Sequence, residues 1–282
     1  MPISRWVFLA LALFAIQSRA GAQGFTVVAV GDIGTCTLTA RYATARLAKT
    51  LVSNAPSAIL LLGDIAYPRG SAKNFRQCFD PAWGELKPLA WAVPGNHEYL
   101  SPGAGPYFDY FGSRGGPRGK GYYALRLGGW LIIGLNTNCA EVGGCSPGSP
   151  QYRWLSATLE DPSVPCQLAF GHHPRLSSGL HGESRALAPI WDLLRRHRVE
   201  LFLAGHDHDY ERLEPQGEPR QFVVGTGGAW IRPFGRIHPA SQARVRAHGV
   251  LELTLWPGEY RWRFIDVQGR TRDEGRGRCT PE

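Results

Sequence analysis

The chain has 282 residues, 43% of them hydrophobic, with 31 lysines and arginines against 23 acidic residues, a formal charge of +8. That length and apolar content exclude a disordered tail and leave ample material for a sizeable core. The basic residues are scattered rather than clustered, which argues against a nucleic-acid-binding stripe.

Residues 1–22 read as a cleaved export signal: Arg5 makes a positive start, 6–16 is an apolar core, and Ala20-Gly21-Ala22 offers a small-x-small cleavage site. The apolar run is too short for a membrane span, which needs roughly 20 residues. Without Arg5 and Arg19 the remaining 23–282, expected to form one domain, carries 29 basic and 23 acidic residues, or +6. Six cysteines behind such a signal, none in a CxxC pair, favour disulfides over zinc ligation. Fifteen pairings are open; the one chosen joins Cys36 with Cys78, Cys139 with Cys145, and Cys166 with Cys279.

Residues 25–30 are a β-branched apolar run ending at Gly31, a buried strand. Helical spacing follows over 39–52, with Thr39 as expected N-cap. Strands are predicted over 58–62 and 91–93, the latter stopped by Pro94. The glycine-, proline- and aromatic-rich stretch 99–121 lacks a period and reads as a long loop, such as a lid or substrate wall. Residues 122–127 and 130–136 flank Gly128-Gly129 as a hairpin. A short helix over 151–159, a strand over 167–170, an amphipathic helix over 185–197 and a strand over 201–204 come next. Runs at 221–224, 250–255 and 260–265 read as antiparallel strands. The strand–helix–strand order implies an α/β core with functional groups at the carboxyl ends of parallel strands.

Five blocks at such ends share one grammar, a glycine followed by polar donors: Gly31-Asp32-Ile33-Gly34, Gly63-Asp64-Ile65-Ala66-Tyr67, Gly95-Asn96-His97-Glu98, Gly171-His172-His173 and Gly205-His206-Asp207-His208. Oxygen and nitrogen donors converging from five strand ends suit two adjacent hydrolytic metal ions. Singly, Asp32 and Asp64 are better explained as turn or cap residues; two such blocks, each after a buried strand, shift the reading toward ligands. Asn96 can offer a neutral carbonyl oxygen, and His97 an imidazole to a reacting group. His206 and His208, two apart, share one face of an extended segment. His172 is chosen over His173 because it directly follows the strand-end glycine. Asp207 is expected to support its loop, His181 could fold back over the site from a glycine-bearing loop, and His197, His238 and His248 read as structural or surface residues.

In this order the blocks resemble the calcineurin-like metallophosphoesterases, and most closely the purple acid phosphatases of the short, mammalian type. Much of that superfamily has a histidine two residues after the first aspartate, where Gly34 stands; the purple acid phosphatase pattern instead has a tyrosine three residues after the second, where Tyr67 stands. The resemblance implies a four-layer α/β/β/α sandwich of two mixed sheets flanked by helices. It implies one metal held by Asp32, Asp64, Tyr67 and His208, a second by Asp64, Asn96, His172 and His206, and His97 and His181 acting on the substrate. A phenolate favours Fe(III) at the first position, with Fe(II), Zn(II) or Mn(II) at the second. Two departures are Ala169, where the family usually has valine, and an expected lack of the extra N-terminal β domain of the large plant-type enzymes. The implied function is hydrolysis of phosphate monoesters, small molecules or phosphoproteins, by in-line attack of a metal-bound hydroxide, with acid activity, by a secreted or periplasmic monomer. A phosphodiesterase using the same site is the nearest rival, and a non-catalytic exported phosphate- or partner-binding protein a remote one.

Overall fold

The computed structural model describes residues 23–53, 55–161 and 166–279; the expected export signal lies outside them. Strands β1 (Phe25–Val30), β2 (Ser57–Leu61) and β3 (Ala90–Ala92) run parallel, with α1 (Ala40–Val52) crossing from the first to the second. The chain then forms α2 (Gly105–Phe111) before the hairpin of β4 (Tyr123–Leu127) and β5 (Trp130–Gly134), closed by Gly128 and Gly129 at φ 57° and 82°. Two positive φ values are what a two-residue turn of matching twist demands.

Helix α3 (Pro150–Leu159) is capped by Ser149, whose hydroxyl accepts from the Tyr152 N–H. Next come β6 (Gln167–Phe170), α4 (Ala188–Arg196), β7 (Leu201–Ala204), β8 (Tyr210–Leu213), β9 (Arg220–Val224) and β10 (Ser241–Val245). These build a seven-stranded sheet ordered β10-β8-β9-β7-β6-β5-β4. The chain returns to the first sheet with β11 (Gly249–Trp256), β12 (Glu259–Asp266) and β13 (Thr271–Arg278), completing the order β13-β12-β11-β1-β2-β3.

Three apolar layers follow from strand alternation. Val27, Ala29 and Leu60 of the first sheet meet Ile132, Leu168, Phe170 and Leu203 of the second. The opposite face of β1 and β2, with Val28, Val30, Ile59 and Leu61, packs on Ala45 and Ala48 of α1 and on Phe75, Phe79 and Trp83. Ile133, Ala169 and Phe202 pack on Leu155 of α3 and on Ile190, Trp191 and Leu194 of α4. The result is the expected four-layer sandwich. Burial on both faces explains why the central parallel strands read as continuous apolar runs.

Four details differ from the sequence reading. Thr39 occupies the N-cap position with helical dihedrals and makes no capping hydrogen bond. The stretch 99–121 is not simply a loop: α2 forms because Tyr107, Phe108 and Phe111 find a buried aromatic cluster, a tertiary gain that outweighs its glycines and prolines. Strand β9 runs parallel to β7 and antiparallel only to β8, which inserts as its other partner. Short helical turns over 72–89 and strands β8, β10 and β13 were not foreseen. The disulfides pair Cys36 with Cys78, Cys139 with Cys145, and Cys166 with Cys279, matching the chosen pairing.

Candidate metal centre

All five glycine-led blocks emerge at one end of the sandwich, beyond the carboxyl ends of β1, β2, β3, β6 and β7. The first two are zipped together: Asp32 N donates to Gly63 O at 3.1 Å, Ile33 N to Asp64 O at 3.0 Å and Gly34 N to Ile65 O at 3.0 Å. Tyr67 N returns a bond to Gly34 O at 3.0 Å. A Cβ on Gly34 would clash with the Ile65 carbonyl oxygen and sit 3.3 Å from Phe79 Cβ. No side chain fits there, which accounts for the missing imidazole. A Cβ on Gly95 would likewise strike the Asp64 backbone nitrogen and carboxylate, so the third block abuts the second only because it opens with glycine. The fully buried Glu98 carboxylate bolts these pieces together, accepting from the N–H groups of Ile65 (2.9 Å), Ala66 (3.2 Å) and Gly95 (2.8 Å).

Backbone strain concentrates here. Asp32, Asp64 and His206 are left-handed at φ 59°, 49° and 70°, each at a cost on the order of 1–3 kcal/mol that persists only where surrounding structure over-determines it. For His206 the determinant is its N–H, which donates to Asp32 Oδ2 at 2.8 Å.

The side chains converge in two groups that share Asp64. Tyr67 Oη lies 2.9 Å from Asp32 Oδ1, 3.0 Å from Asp64 Oδ2 and 3.2 Å from His208 Nε2. On the other side His172 Nε2 lies 3.0 Å from Asn96 Oδ1, 3.2 Å from His206 Nδ1 and 3.5 Å from Asp64 Oδ2. These residues fit a pair of cations on two counts. His172 Nδ1 donates to Leu62 O at 2.9 Å and His208 Nδ1 to Trp230 O at 2.9 Å, so each ring turns the Nε2 lone pair toward the acidic groups. The acidic groups in turn need positive charge: burial, then the charges of Asp32 and Glu98, hold the Asp64 carboxyl well above its usual range. Burial, then Asp32 and Asp64, does the same to the Tyr67 phenol. Burial pushes the imidazoles of His172 and His206 far down, keeping them neutral. Burial also lowers His208, but its hydrogen bond to Asp32 and that carboxylate's charge outweigh burial, and the net direction is up.

His97 and His181 stand at the mouth of a cavity of about 210 Å³ over these groups. His97 Nδ1 is held by Pro68 O at 2.6 Å, leaving Nε2 3.8 Å from Asp64 Oδ2. The His181 ring lies 4.4 Å from that of His206, and the His181 backbone N–H donates to Asp207 Oδ1 at 2.8 Å. Asp207 also accepts from Ser177 Oγ at 2.5 Å, pinning the loop that carries His181. Thus the structure brings together every residue singled out from the sequence: Asp32, Asp64, Tyr67, Asn96, His97, His172, His181, His206 and His208.

The sequence reading passed over three neighbours. His173 hydrogen-bonds Thr137 Oγ1 at 2.9 Å, and its ring lies 4.5 Å from that of His206; burial pushes its imidazole down to about 4. Trp230 and Arg232 line the cavity from the loop after β9. Their signal is Gly225-Thr226-Gly227-Gly228, a glycine cluster after an apolar run that lacks a metal-type donor.

The family model described as calcineurin-like phosphoesterase matches residues 25–210. The chain belongs to that family. Among relatives of this calcineurin-like phosphoesterase, tartrate-resistant acid phosphatase type 5 of Sus scrofa is 25% identical over 86% of this chain and 84% of its own. Purple acid phosphatase 15 of Arabidopsis thaliana is 28% identical over 72% of this chain but 44% of its own, so the chain spans about half the length of such plant relatives. In fold, a purple acid phosphatase from yellow lupin seeds superposes with TM-score 0.78 at 18% identity, over 91% of this chain and 54% of that one. GAP50, titled the anchor in the inner membrane complex of Plasmodium, superposes with TM-score 0.71 at 16% identity, over 92% and 90%. These two likenesses concern fold alone. Among the described residues no helix is long and apolar enough to cross a membrane.

Proposed function

We propose that this chain is an exported, metal-dependent phosphatase that hydrolyses phosphate monoesters in the manner of purple acid phosphatases. The observation that carries the reading is the Tyr67 phenol oxygen, within 3.2 Å of donor atoms of Asp32, Asp64 and His208. In this reading Asp32, Asp64, Tyr67 and His208 hold one cation, and Asp64, Asn96, His172 and His206 the other. A phenolate beside two carboxylates is a hard anionic set that favours Fe(III), and the neutral amide and imidazoles suit Fe(II), Zn(II) or Mn(II). Two such ions supply Lewis acidity toward phosphoryl oxygens and a water-derived nucleophile below neutral pH.

The chain's own residues do the rest. Asp64, common to both groups, sets the spacing. His97 and His181 line the cavity, and either imidazole, after taking a proton from solvent on its Nε2, can pass it to the leaving-group oxygen. The buried floor excludes water from all but the open side. Three disulfides and the relatives named acid phosphatase support an oxidising, extracytoplasmic setting. A cleft of about 440 Å³ between Asn96, Tyr99, Leu100 and His173 leaves room for a sizeable organic group beside the phosphate.

The test joins metal analysis and a visible spectrum of the purified protein with rates on an aryl phosphate monoester and a bis-aryl phosphate. Two metals per chain including iron, a visible tyrosinate band, and faster monoester turnover below pH 7 are expected. No iron, or turnover confined to alkaline pH, would overturn the ferric reading; faster diester turnover would give the site to the phosphodiesterase alternative.

A further inference from the structure

The loop after β9 is seated directly on the candidate metal centre. Ala229 N donates to Asp32 O at 2.9 Å, the Trp230 carbonyl accepts from His208 Nδ1, and Arg232 N donates to His208 O at 3.0 Å. A Cβ on Gly228 would clash with the Ile33 carbonyl oxygen, so the loop descends this far only on glycine. The backbone around Arg232 is therefore fixed relative to Asp32 and His208.

Its side chain is half-buried, lines the cavity, and ends with Nη1 2.6 Å from His181 Nε2. Other arginines of the fold meet carboxylates: Arg212 with Asp273, Arg263 with Glu252, Arg270 and Arg272 with Asp266. Among the described residues no acidic side chain pairs with Arg232. It contacts a single ring nitrogen, whereas a guanidinium presents five N–H donors in a planar fork. A fixed cation in a cavity, with a fork one imidazole cannot fill, matches an anion that offers two oxygens side by side.

We propose that Arg232 is the phosphate-recognition residue of this site, taking two non-bridging oxygens of a terminal phosphoryl group and giving up His181 Nε2 as it does so. The assignment rests on the phosphatase reading above and sharpens it. A monoester carries up to two negative charges on its unesterified oxygens against a diester's one, so the guanidinium's charge favours monoesters. Exchange of partners also couples substrate arrival to the release of His181, which then faces the leaving oxygen.

The experiment uses the metal-loaded protein and two variants, Arg232→Gln and Arg232→Lys, with melting curves to establish that each is folded. Inorganic phosphate is titrated calorimetrically, and kcat/KM is measured on an aryl phosphate monoester and a bis-aryl phosphate. Losing charge-assisted hydrogen bonds predicts phosphate binding weakened roughly tenfold or more in Arg232→Gln. A smaller loss is expected in Arg232→Lys, which keeps the charge but not the fork. The monoester-to-diester ratio of kcat/KM should fall by a similar factor in Arg232→Gln. Phosphate affinity within twofold of the parent, or equal losses on both esters, overturns the proposal. If the parent hydrolyses neither ester, the proposed function fails, and the phosphate titration alone still decides the role of Arg232.

Discussion

Gly34→Ala tests the physical reason for the glycine that separates the first block from the histidine-bearing pattern. The added Cβ meets the Ile65 carbonyl oxygen well inside van der Waals contact, with Phe79 Cβ at 3.3 Å and Ala66 Cα at 3.4 Å behind it. All of these are backbone or branch-point atoms, so no side-chain swing relieves the clash. The two strand ends must separate, breaking Gly34 N to Ile65 O and Tyr67 N to Gly34 O, each 3.0 Å. Overpacking costs about 1–3 kcal/mol, and two backbone hydrogen bonds contribute about 1 kcal/mol each. A loss on the order of 3–5 kcal/mol is therefore expected, lowering Tm by roughly 10 °C for a chain of this size. Because Tyr67 hangs from the second of those bonds, metal content should fall as well. Differential scanning calorimetry of metal-free and metal-loaded protein, with elemental analysis, measures both. A variant within about 0.5 kcal/mol of the parent, the ordinary effect of a surface substitution, would show that the glycine is not required by close approach.

Tyr67→Phe should abolish the visible band while the melting temperature of the metal-free protein shifts little; an unchanged spectrum would remove Tyr67 from the ligand set. Asp64→Asn should lose most of the metal-dependent stabilisation, which in the parent amounts to about 2.7 kcal/mol for each site when free metal is a hundredfold above its Kd; two ions retained per chain would refute the shared position. Asp273→Asn probes the sandwich itself. The Asp273 carboxylate accepts from Arg212 Nε at 2.8 Å, Tyr210 Oη at 2.7 Å and Trp262 Nε1 at 3.2 Å. Burial raises its pKa, but the bonds from Arg212, Tyr210 and Trp262 outweigh burial and hold it below the usual range. Its contribution is thus complete above the unfolded-state pKa of about 3.9 and lost as pH falls through the lower folded value. Denaturant titration should find the variant about 3 kcal/mol less stable at pH 7, near the lower bound for breaking a mostly buried pair, with the gap narrowing below pH 4. A gap independent of pH would show that packing, not charge, holds this corner.

What was legible from residues alone is the part whose chemistry is local. A glycine after a buried strand, then a donor, marks Asp32, Asp64 and Asn96 because turn geometry and donor type are written within four residues. Tyr67 was readable only through the resemblance, whose pattern places a tyrosine three residues after the second aspartate. The helix at 105–111 was not, because its stability comes from Tyr107, Phe108 and Phe111 meeting Phe75 and Phe79 far away in sequence. The direction of β9 depends on β8, a four-residue strand too short to show a period. His173 was set aside in favour of His172, and Arg232 was missed, for different reasons. Alternation on an extended chain sends adjacent residues apart, yet the turn after β6 brings both histidines to the same group. Arg232 offers no lone pair to a metal, so a search for donors passes over it.

The two sheets contribute different halves of the proposed ligand set. Asp32, Asp64, Tyr67 and Asn96 leave the first sheet and supply only oxygens; His172, His206 and His208 leave the second and supply only nitrogens. The contact between His206 N and Asp32 Oδ2 spans 174 residues. A chain that has completed just one sheet owns just one kind of donor, and neither kind alone makes a mixed site. In the proposed assignment the two kinds of donor meet only once the sheets pack together, so metal uptake is expected to report on the finished fold rather than on a half-folded chain.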